Sequence, residues 1–298
     1  MGTRKKTCVI YANCQGSGIE LFLNKHDVYK DTFVTYTLEN HILISQQIPM
    51  PIDLLKEASL FIYQPVGEKH GCYATNHLKS CLPKDCQCIS FPYIYNSALW
   101  PLFEENQFII GEEIIRELFE KGVSLKSVVD LFCEERIDFQ FEQRFQRSLA
   151  ILKQKEQETD VNISDFITRN IKTEKLFLTQ SHPTSVVFIH CVNQILERLG
   201  LTSLPESLPC HPNEANLPDC WPSSPYEKKF YRYTYQNDWR LFYKKRVDSN
   251  WHRFHIRIIR KIYLRKRAFA AKRLLVSLYL KLRLSVNMAR GQGYLDGL

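Results

Sequence analysis

The hydrophobic pattern predicts strands that alternate with helices along the first hundred residues. Short apolar runs at 8–12, 58–63 and 86–95, and the alternating segment 32–38, have the length and the β-branched and aromatic content of strands. Apolar residues at helical spacing follow the first run, and a short helix is predicted over 52–57. This alternation is typical of an α/β fold with a parallel sheet.

From residue 111 the apolar positions recur at helical spacing. Helices are predicted over 112–121, 125–134, 139–159 and 160–171. We interpret 111–171 as a helical subdomain inserted between the fourth strand and a fifth strand at 176–179. A further helix is predicted over 185–199, where Gly200 suits the left-handed position that ends a helix.

Two polar turns, each between a strand and a helix, carry the candidate chemistry. Cys14 lies in the turn after the first strand, and His182 lies in the turn after the fifth. Open α/β sheets bind ligands at the carboxyl ends of their strands, so both side chains are predicted at one edge of the sheet. Cys14 is a candidate nucleophile, because a helix N-terminus lowers the pKa of a thiol, and His182 is a candidate base that activates it.

Each candidate has a simpler interpretation. Cys14 could be a small buried hydrophobe, and His182 could only cap the following helix. Gln64, after the third strand, is predicted either to face Cys14 or to be a solvent-facing turn residue. A dinucleotide site is a further alternative, since the turn contains Gly16-Ser17-Gly18 and Glu39 follows at a suitable distance. The third glycine of that fingerprint is absent, because Leu21 occupies its position.

The composition limits the cellular compartments in which the protein is expected. No apolar run is long enough to span a bilayer, and the amino terminus has no secretory signal. We therefore expect a cytoplasmic protein whose ten cysteines are mostly reduced. Cys81, Cys86 and Cys88 cluster, but neither a paired C-x-x-C spacing nor a nearby histidine completes a zinc site. They are predicted to be structural, and no metal is predicted.

Charge separates an acidic body from a basic tail. Residues 228–298 contain 19 Lys and Arg against 3 Asp and Glu, a net charge of +16, which leaves −8 for 1–227. The tail is predicted to be a basic amphipathic helix over 251–288. It could lie on an anionic membrane surface or pack as a hairpin on the acidic body. Nucleic acid is a third option that no base-reading motif supports.

Several motifs in this order resemble those of a known family, the WcbI-type polysaccharide biosynthesis domain. The resemblance covers roughly residues 7–240 and leaves the basic tail outside. It is carried by Asn13-Cys14-Gln15, by Tyr63-Gln64-Pro65, by Phe91-Pro92 with Ile94-Tyr95 and Pro101, by the segment 160–167, and by Leu-Phe-Leu-Thr-Gln-Ser-His-Pro-Thr at 176–184.

The resemblance implies a coenzyme A-binding, acetyltransferase-like enzyme with an SGNH-like or flavodoxin-like parallel sheet. By position, the implied site residues are Asn13, Cys14 and Gln15 together with His182-Pro183. Cys14 stands where SGNH esterases have serine, and Thr179 stands where they have an aspartate. The third member of the triad is therefore left open. The domains are expected to be a WcbI-like α/β domain over 1–245 and the basic tail over 246–298.

The resulting hypothesis is an acetyl-CoA-dependent O-acetyltransferase that acts on a sugar or glycan precursor in capsule or surface polysaccharide biosynthesis. His182 would act as general base on Cys14 or directly on a sugar hydroxyl. Backbone N–H groups near Gln15 and Gly16, with the Asn13 or Gln64 amide, would stabilise the oxyanion, and Ser17 completes the substrate-binding turn.

Two other functions fit the same residues. One is an SGNH-like carbohydrate esterase that uses water as acceptor. The other is a non-catalytic, membrane-peripheral CoA-binding module. The basic residues that would meet the CoA phosphates are expected in the helical insert or in the segment 231–246.

Overall fold

The computed structural model describes residues 4–105, 108–205, 208, 219–220, 224–235, 241–243, 246–248, 253, 255–269, 271–272 and 275. The chain divides into two compact units. The larger unit comprises 1–100 and 140–249, and the smaller unit comprises 101–139 and 250–298. This division falls inside the predicted insert 111–171, and the predicted domain boundaries stay a prediction.

A four-stranded parallel sheet lies at the centre of the larger unit, with the strand order β2-β1-β3-β4. Its strands are β1 (Lys6–Ala12), β2 (Phe33–Glu39), β3 (Ala58–Tyr63) and β4 (Gln87–Ser90). The predicted α/β class and the four strands are confirmed. β4 ends five residues earlier than predicted, because Pro92 has no N–H to donate to a neighbouring strand.

β1 forms the centre of the core. Residues 8–12 of this strand are completely buried, as expected for a strand covered on both faces. The helices of the larger unit are α1 (Gln15–Leu23), α2 (Asp27–Thr32), α3 (Asn40–Gln46), α4 (Ile52–Lys56), α5 (Thr75–Ser80), α8 (Phe141–Glu156), α9 (Ser164–Asn170), α10 (Ser185–Arg198) and α11 (Pro225–Tyr231), with a 3-10 turn at Glu68–Tyr73.

Helices α1 and α10 follow the two polar turns and pack against each other. The rings of Phe22 and Phe188 stack with their centroids 6.5 Å apart. A Cβ atom on Gly18 would come within 2.5 Å of the Phe188 ring, so the glycine permits this close approach. Gly200 ends the α10 region with φ +70°, as the sequence predicts.

The predicted fifth strand does not join the sheet. β7 (Phe177–Thr179) pairs antiparallel with β8 (His182–Pro183) as a separate two-stranded hairpin. The chain turns back at Gln180 and Ser181, so Thr179 lies opposite His182. In this hairpin β7 pairs with β8, so β7 does not extend the edge of the parallel sheet as predicted. A second antiparallel sheet consists of β9 (Asp219–Cys220), β10 (Leu241–Tyr243) and β11 (Arg246–Asp248).

The smaller unit contains the hairpin β5 (Phe103–Glu105) and β6 (Phe108–Ile110), followed by α6 (Glu112–Glu120) and α7 (Leu125–Cys133). Residues 255–269 of the basic tail are helical, as predicted. Ile258, Ile259 and Ile262 are buried on one face of this helix. Tyr263 contacts Phe119 with ring centroids 5.1 Å apart, so this part of the tail packs against α6. Residues 276–288 of the predicted helix lie outside the described residues.

Candidate active site

Cys14 and His182 meet at the edge of the sheet although 168 positions separate them in the sequence. The Cys14 Sγ atom lies 3.7 Å from His182 Nε2. Cys14 follows β1 directly and is exposed, so it is not the small buried hydrophobe of the alternative interpretation. Thr184 rather than His182 is the N-cap residue of α10. The simpler interpretation of His182 as a cap is therefore wrong.

The second ring nitrogen of His182 has a hydroxyl partner. His182 Nδ1 lies 2.7 Å from Thr179 Oγ1, across the β7–β8 hairpin. If Nδ1 carries the proton and donates it to Thr179, Nε2 is left with a lone pair directed at the Cys14 thiol. This tautomer is the one in which His182 can accept the thiol proton. With this tautomer, Thr179 orients His182, and His182 can accept the proton of Cys14. We call these three side chains the Cys–His–Thr relay.

Thr179 is the candidate for the third member of the triad, which the sequence left open. It stands three residues before His182, at the position where SGNH esterases have an aspartate. The side chain is 1% exposed, and its hydroxyl oxygen also accepts the N–H of Ser181 at 3.4 Å. A hydroxyl orients the imidazole as a carboxylate does, but it supplies no full negative charge to stabilise the imidazolium. The spacing alone could have identified the residue.

The side chain of Gln15, a predicted oxyanion or substrate-binding residue, is buried and hydrogen-bonded at both ends. Its Nε2 donates to the carbonyl oxygens of Ile94 and Ser181, at 2.7 and 2.8 Å. Its Oε1 accepts the Ile94 N–H at 3.1 Å and the Gln64 side-chain amide at 2.9 Å. The residue therefore joins the Cys14 turn, the loop after β4 and the turn that precedes His182.

Gln64 extends this network from the end of β3. The side chain is 4% exposed, so it is not a solvent-facing turn residue. Its Oε1 accepts the backbone N–H of Asn13 at 3.0 Å, while its Nε2 donates to Gln15. Both ends of the amide are engaged, and Gln64 acts by holding the backbone next to Cys14 in position.

The backbone donors predicted for the oxyanion are engaged within the turn. The Gln15 N–H donates to Asn13 Oδ1 at 2.9 Å, and the Gly16 N–H donates to the Asn13 carbonyl oxygen at 2.8 Å. Asn13 Oδ1 therefore already accepts a hydrogen bond. The group of this side chain that remains for an oxyanion is its Nδ2 donor. Asn13 is half-buried, and Nδ2 makes no hydrogen bond within the described part of the chain. Ser17 is exposed beside it.

Although the residue as a whole is exposed, partial burial of its sulfur raises the pKa of the Cys14 thiol, and the carboxylate of Glu39 raises this pKa further. Glu39 lies opposite Ala12 at the end of β2, close to the thiol. The backbone N–H groups of Cys14 and Gln15 lower the pKa but do not outweigh the first two effects. The sequence-based prediction of a lowered pKa is therefore wrong, because it considered only the helix N-terminus.

The glycines of the turn serve packing. A Cβ atom on Gly16 would lie 3.1 Å from Ala12 Cβ and 3.3 Å from side-chain atoms of Ile10 and Thr37. Gly18 makes room for Phe188, as described above. These contacts explain the Gly-x-Gly spacing without a dinucleotide.

The remaining candidates show no metal-binding geometry. Within the described ranges, no group of three or more His, Cys, Asp or Glu side chains is arranged to hold a metal ion. Cys81, Cys86 and Cys88 are half-buried against the core, and a hydrogen bond from the Cys86 thiol lowers the pKa of Cys88 to about 7.

None of the helices that the structure describes is both long and apolar enough to cross a bilayer.

Comparison with known proteins identifies the family. Residues 7–204 match the family described as polysaccharide biosynthesis enzyme WcbI, so the chain belongs to that family. A solved structure of a WcbI protein superposes with a TM-score of 0.65 at 15% identity, covering 87% of this chain and 90% of that one. It is described as the native protein without a disulfide bond between coenzyme A and a cysteine. A search of curated proteins finds no match.

Proposed function

We propose that this protein transfers an acetyl group from acetyl-CoA to a hydroxyl of a sugar or glycan precursor. The observation that carries the proposal is the pairing of the Cys14 thiol with His182 at the edge of the sheet, in a chain of a polysaccharide biosynthesis enzyme family. A thiol beside an oriented imidazole is suited to acyl transfer through a thioester.

The solved neighbour supports coenzyme A as the carrier of the acetyl group in this proposal. That protein is described as the native form without a disulfide bond between coenzyme A and one of its cysteines. Such a bond requires the CoA sulfur to reach a cysteine side chain. Among the cysteines that the structure describes, Cys14 is exposed and has its Sγ atom 3.7 Å from a histidine nitrogen, so we place the thiol end of CoA next to Cys14.

The covalent route runs in two halves. His182 Nε2 takes the proton from Cys14 Sγ, and the thiolate attacks the acetyl carbonyl carbon of acetyl-CoA. The bond from that carbon to the CoA sulfur breaks, and CoA leaves with the proton. A sugar hydroxyl then attacks the acetyl-cysteine and gives its proton to His182. The carbon–sulfur bond to Cys14 breaks, an ester forms, and the thiol regains its proton.

A direct route uses the same pair without an acetyl-cysteine. His182 takes the proton of the sugar hydroxyl, whose oxygen attacks acetyl-CoA, and the released CoA thiolate is protonated by His182. In both routes the carbonyl oxygen gains negative charge. Asn13 Nδ2 is our candidate donor for that charge, because the neighbouring backbone N–H groups are already engaged.

Thermal unfolding with CoA and with acetyl-CoA tests the donor. A ligand at one hundred times its Kd adds about 2.7 kcal/mol to the free energy of unfolding. We expect the melting temperature to rise with both compounds. In parallel, CoA disulfide should exchange with the Cys14 thiolate, forming the mixed disulfide and releasing one CoA thiol. Absence of both effects at millimolar CoA contradicts the proposed donor.

A carbohydrate esterase is the second candidate for the same site. The exposure of Cys14 favours it, since water reaches an acyl-cysteine there as readily as a sugar does. Product analysis separates the two functions. Release of free acetate, with no acetylated sugar, would favour the esterase.

The basic tail supports a membrane-peripheral location for the enzyme. Leu264 and Leu275 are 63% and 67% exposed, and Leu264 lies on the exposed face of the helix over 255–269. That face is opposite to buried Ile262, and it lies among the Lys and Arg residues of the tail. Each basic residue near an anionic bilayer contributes about 1 kcal/mol, so we propose that this helix rests on the cytoplasmic leaflet.

Vesicle co-sedimentation tests this location. The full chain should pellet with phosphatidylserine vesicles and remain in solution with phosphatidylcholine alone. Leu264→Asp combined with Leu275→Asp should weaken pelleting, whereas Val28→Asp, at an exposed apolar position on α2, should not. Equal pelleting of all variants would exclude the apolar face of the tail as the contact.

A further inference from the structure

A cavity lies beside the candidate active site in the larger unit. It has a volume of about 590 Å³ and is open to solvent. Its walls come from the segment 63–68 after β3, from 75–76, from 92–93 after β4, and from 155 and 158–159 at the end of α8. The relay of Cys14, His182 and Thr179 does not line it, so the cavity is a separate space next to the reacting groups.

The cavity is connected to the active site through Gln64. This side chain lines the cavity and also accepts the backbone N–H of Asn13, the residue before Cys14, at 3.0 Å. Pro92 also lines the cavity, and its carbonyl oxygen lies 3.4 Å from Gln64 Nε2. A ligand in the cavity would contact Gln64, which in turn contacts the backbone of Asn13 next to Cys14.

The walls combine flat apolar surface with hydrogen-bonding groups. Pro65, Val66 and the ring of Tyr93 supply the apolar part. Glu68, Asn76 and Glu158 supply the polar part, and Glu68 already accepts a hydrogen bond from Asn76 at 2.7 Å. A wall that combines apolar contact with converging hydrogen-bonding groups is suited to a small polar molecule. Carboxylate and amide groups are suitable partners for hydroxyls.

The charges of the cavity favour an uncharged ligand. Among the lining residues, Glu68 and Glu158 bring two carboxylates and Lys155 brings one ammonium, while the ammonium of Lys79 lies 3.4 Å from the hydroxyl of the lining residue Tyr63. Lys155 Nζ lies 4.9 Å from the centre of the Tyr93 ring, and partial burial lowers the pKa of the amine. The diphosphate and 3′-phosphate of CoA would meet these carboxylates with like charge, which is unfavourable. A polyhydroxyl ligand meets no such penalty.

We propose that this cavity is the acceptor subsite and that it binds an uncharged pyranoside. The sugar would lie against Tyr93 and Pro65, with hydroxyls bound by Glu158 and Lys155 and one hydroxyl directed past Gln64 toward Cys14. The inference rests on the proposed transferase function for its role in catalysis, but the binding of the sugar can be tested without acetyl-CoA.

A cavity-filling variant provides the test. Gly67 lines the cavity with φ −71°, and a Cβ atom there would have no other atom within 4 Å. Gly67→Phe should therefore fold normally while its ring occupies cavity space. Val28→Phe, at an exposed position on α2, is the matched control for an added aromatic ring.

Binding is measured by saturation-transfer NMR on the full chain, using methyl glucoside, methyl galactoside and methyl mannoside as separate probes. At least one should bind the native protein and the Val28→Phe control, and its affinity should fall at least tenfold in Gly67→Phe. Glu158→Gln, which keeps the shape of the side chain, should weaken the same probe about tenfold, as expected for a hydrogen bond to a charged group.

The outcomes separate this inference from the proposed function. Binding of none of the three glycosides, or equal binding to native protein and Gly67→Phe, overturns the acceptor subsite. Loss of the acetyl-CoA thermal shift in Gly67→Phe also overturns it, because the cavity would then hold the donor. If a glycoside binds in the cavity while acetyl-CoA stabilises no variant, the subsite stands and the acetyltransferase proposal fails.

Discussion

The two turns that carry the reacting side chains are built differently. The Cys14 turn leaves the central strand of a parallel sheet, and buried amides of Gln15 and Gln64 hold it. The His182 turn belongs to a short antiparallel hairpin outside that sheet, and one hydroxyl, that of Thr179, orients the imidazole. Buried amides fix the backbone of both turns, because Gln180 in the second turn accepts a hydrogen bond from Tyr95 and donates one to the Leu99 carbonyl oxygen. The Cys14 and His182 side chains themselves make far fewer hydrogen bonds than the amides that hold their turns.

This difference separates stability from catalysis. Substitutions that disturb the Gln15 network should act mainly on the fold, since the network ties together three segments of the chain. Substitutions in the relay should act mainly on the rate, because the hydrogen bonds of the Cys14 and His182 side chains join these groups to each other and to Thr179. The following predictions test that separation, from the largest effect to the smallest.

Removing a reacting group should have the largest effect on turnover. His182→Ala should lower kcat for acetyl transfer by about 10²–10⁴-fold, the usual contribution of a general base. Cys14→Ala should be similarly impaired, and the double variant should be little worse than either single variant, because residues that act as a unit are not additive. Steady-state kinetics with acetyl-CoA measure both.

Cys72→Ala and His77→Ala are matched controls, since both residues are exposed and lie away from the relay. Their kcat should equal that of the native protein. Normal turnover in Cys14→Ala would exclude the covalent route and leave the direct attack of the sugar hydroxyl.

Breaking the amide network should mainly destabilise the fold. Gln15→Leu leaves two carbonyl oxygens, one backbone N–H and the Gln64 amide without their partner. At about 1–3 kcal/mol for each unsatisfied buried group, the free energy of unfolding should fall by about 3 kcal/mol or more. Denaturant unfolding measures the change.

Ser17→Ala is the control from the same turn. This exposed side chain should change the free energy of unfolding by no more than about 0.5 kcal/mol. A loss below about 1 kcal/mol in Gln15→Leu would mean that water satisfies the freed groups.

Removing the hydroxyl that orients His182 should have a smaller effect. Thr179→Val should lower kcat about tenfold, which corresponds to the loss of one buried hydrogen bond. The pH profile of kcat/KM should also move, because the imidazole loses its partner at Nδ1. Thr179→Ser should restore both. Equal activity and an unchanged pH profile in Thr179→Val would show that the hairpin alone orients the ring.

The smallest effect concerns the reactivity of the thiol. Because the pKa of Cys14 is raised, its thiolate fraction at neutral pH is lower than that of an ordinary cysteine. The rate of alkylation by iodoacetamide, followed on the Cys14 peptide by mass spectrometry, should rise with a midpoint above the usual thiol range. Glu39→Gln removes a negative charge near the thiol and should lower that midpoint. An unchanged midpoint would leave burial as the cause.

The sequence predicts most of the sheet because the pattern is local. Residues 8–12 and 58–63 are continuous apolar runs, and strands buried on both faces consist of such runs. The apolar pattern predicts that β4 extends beyond its observed end, although Pro92 in the sequence indicates where the strand stops. The β7–β8 pairing was missed because Gln180-Ser181 is not a recognised two-residue hairpin turn.

The candidate site was only partly predictable. Cys14 and His182 could be paired because both follow a strand and precede a helix. The role of Gln15 could not be predicted, since its partners are backbone groups of Ile94 and Ser181, 79 and 166 positions away, and a backbone carbonyl has no sequence signature. The pKa of Cys14 depends on burial and on Glu39, which only the folded chain brings together.

The four hydrogen bonds of Gln15 also govern how the active site fails on heating. Because they tie the nucleophile-bearing turn to the loop after β4 and to the histidine hairpin, that turn has no low-energy opening of its own. Its amide protons should therefore exchange with solvent only when the surrounding unit unfolds. Heat inactivation of the enzyme and thermal melting of the larger unit should share one midpoint.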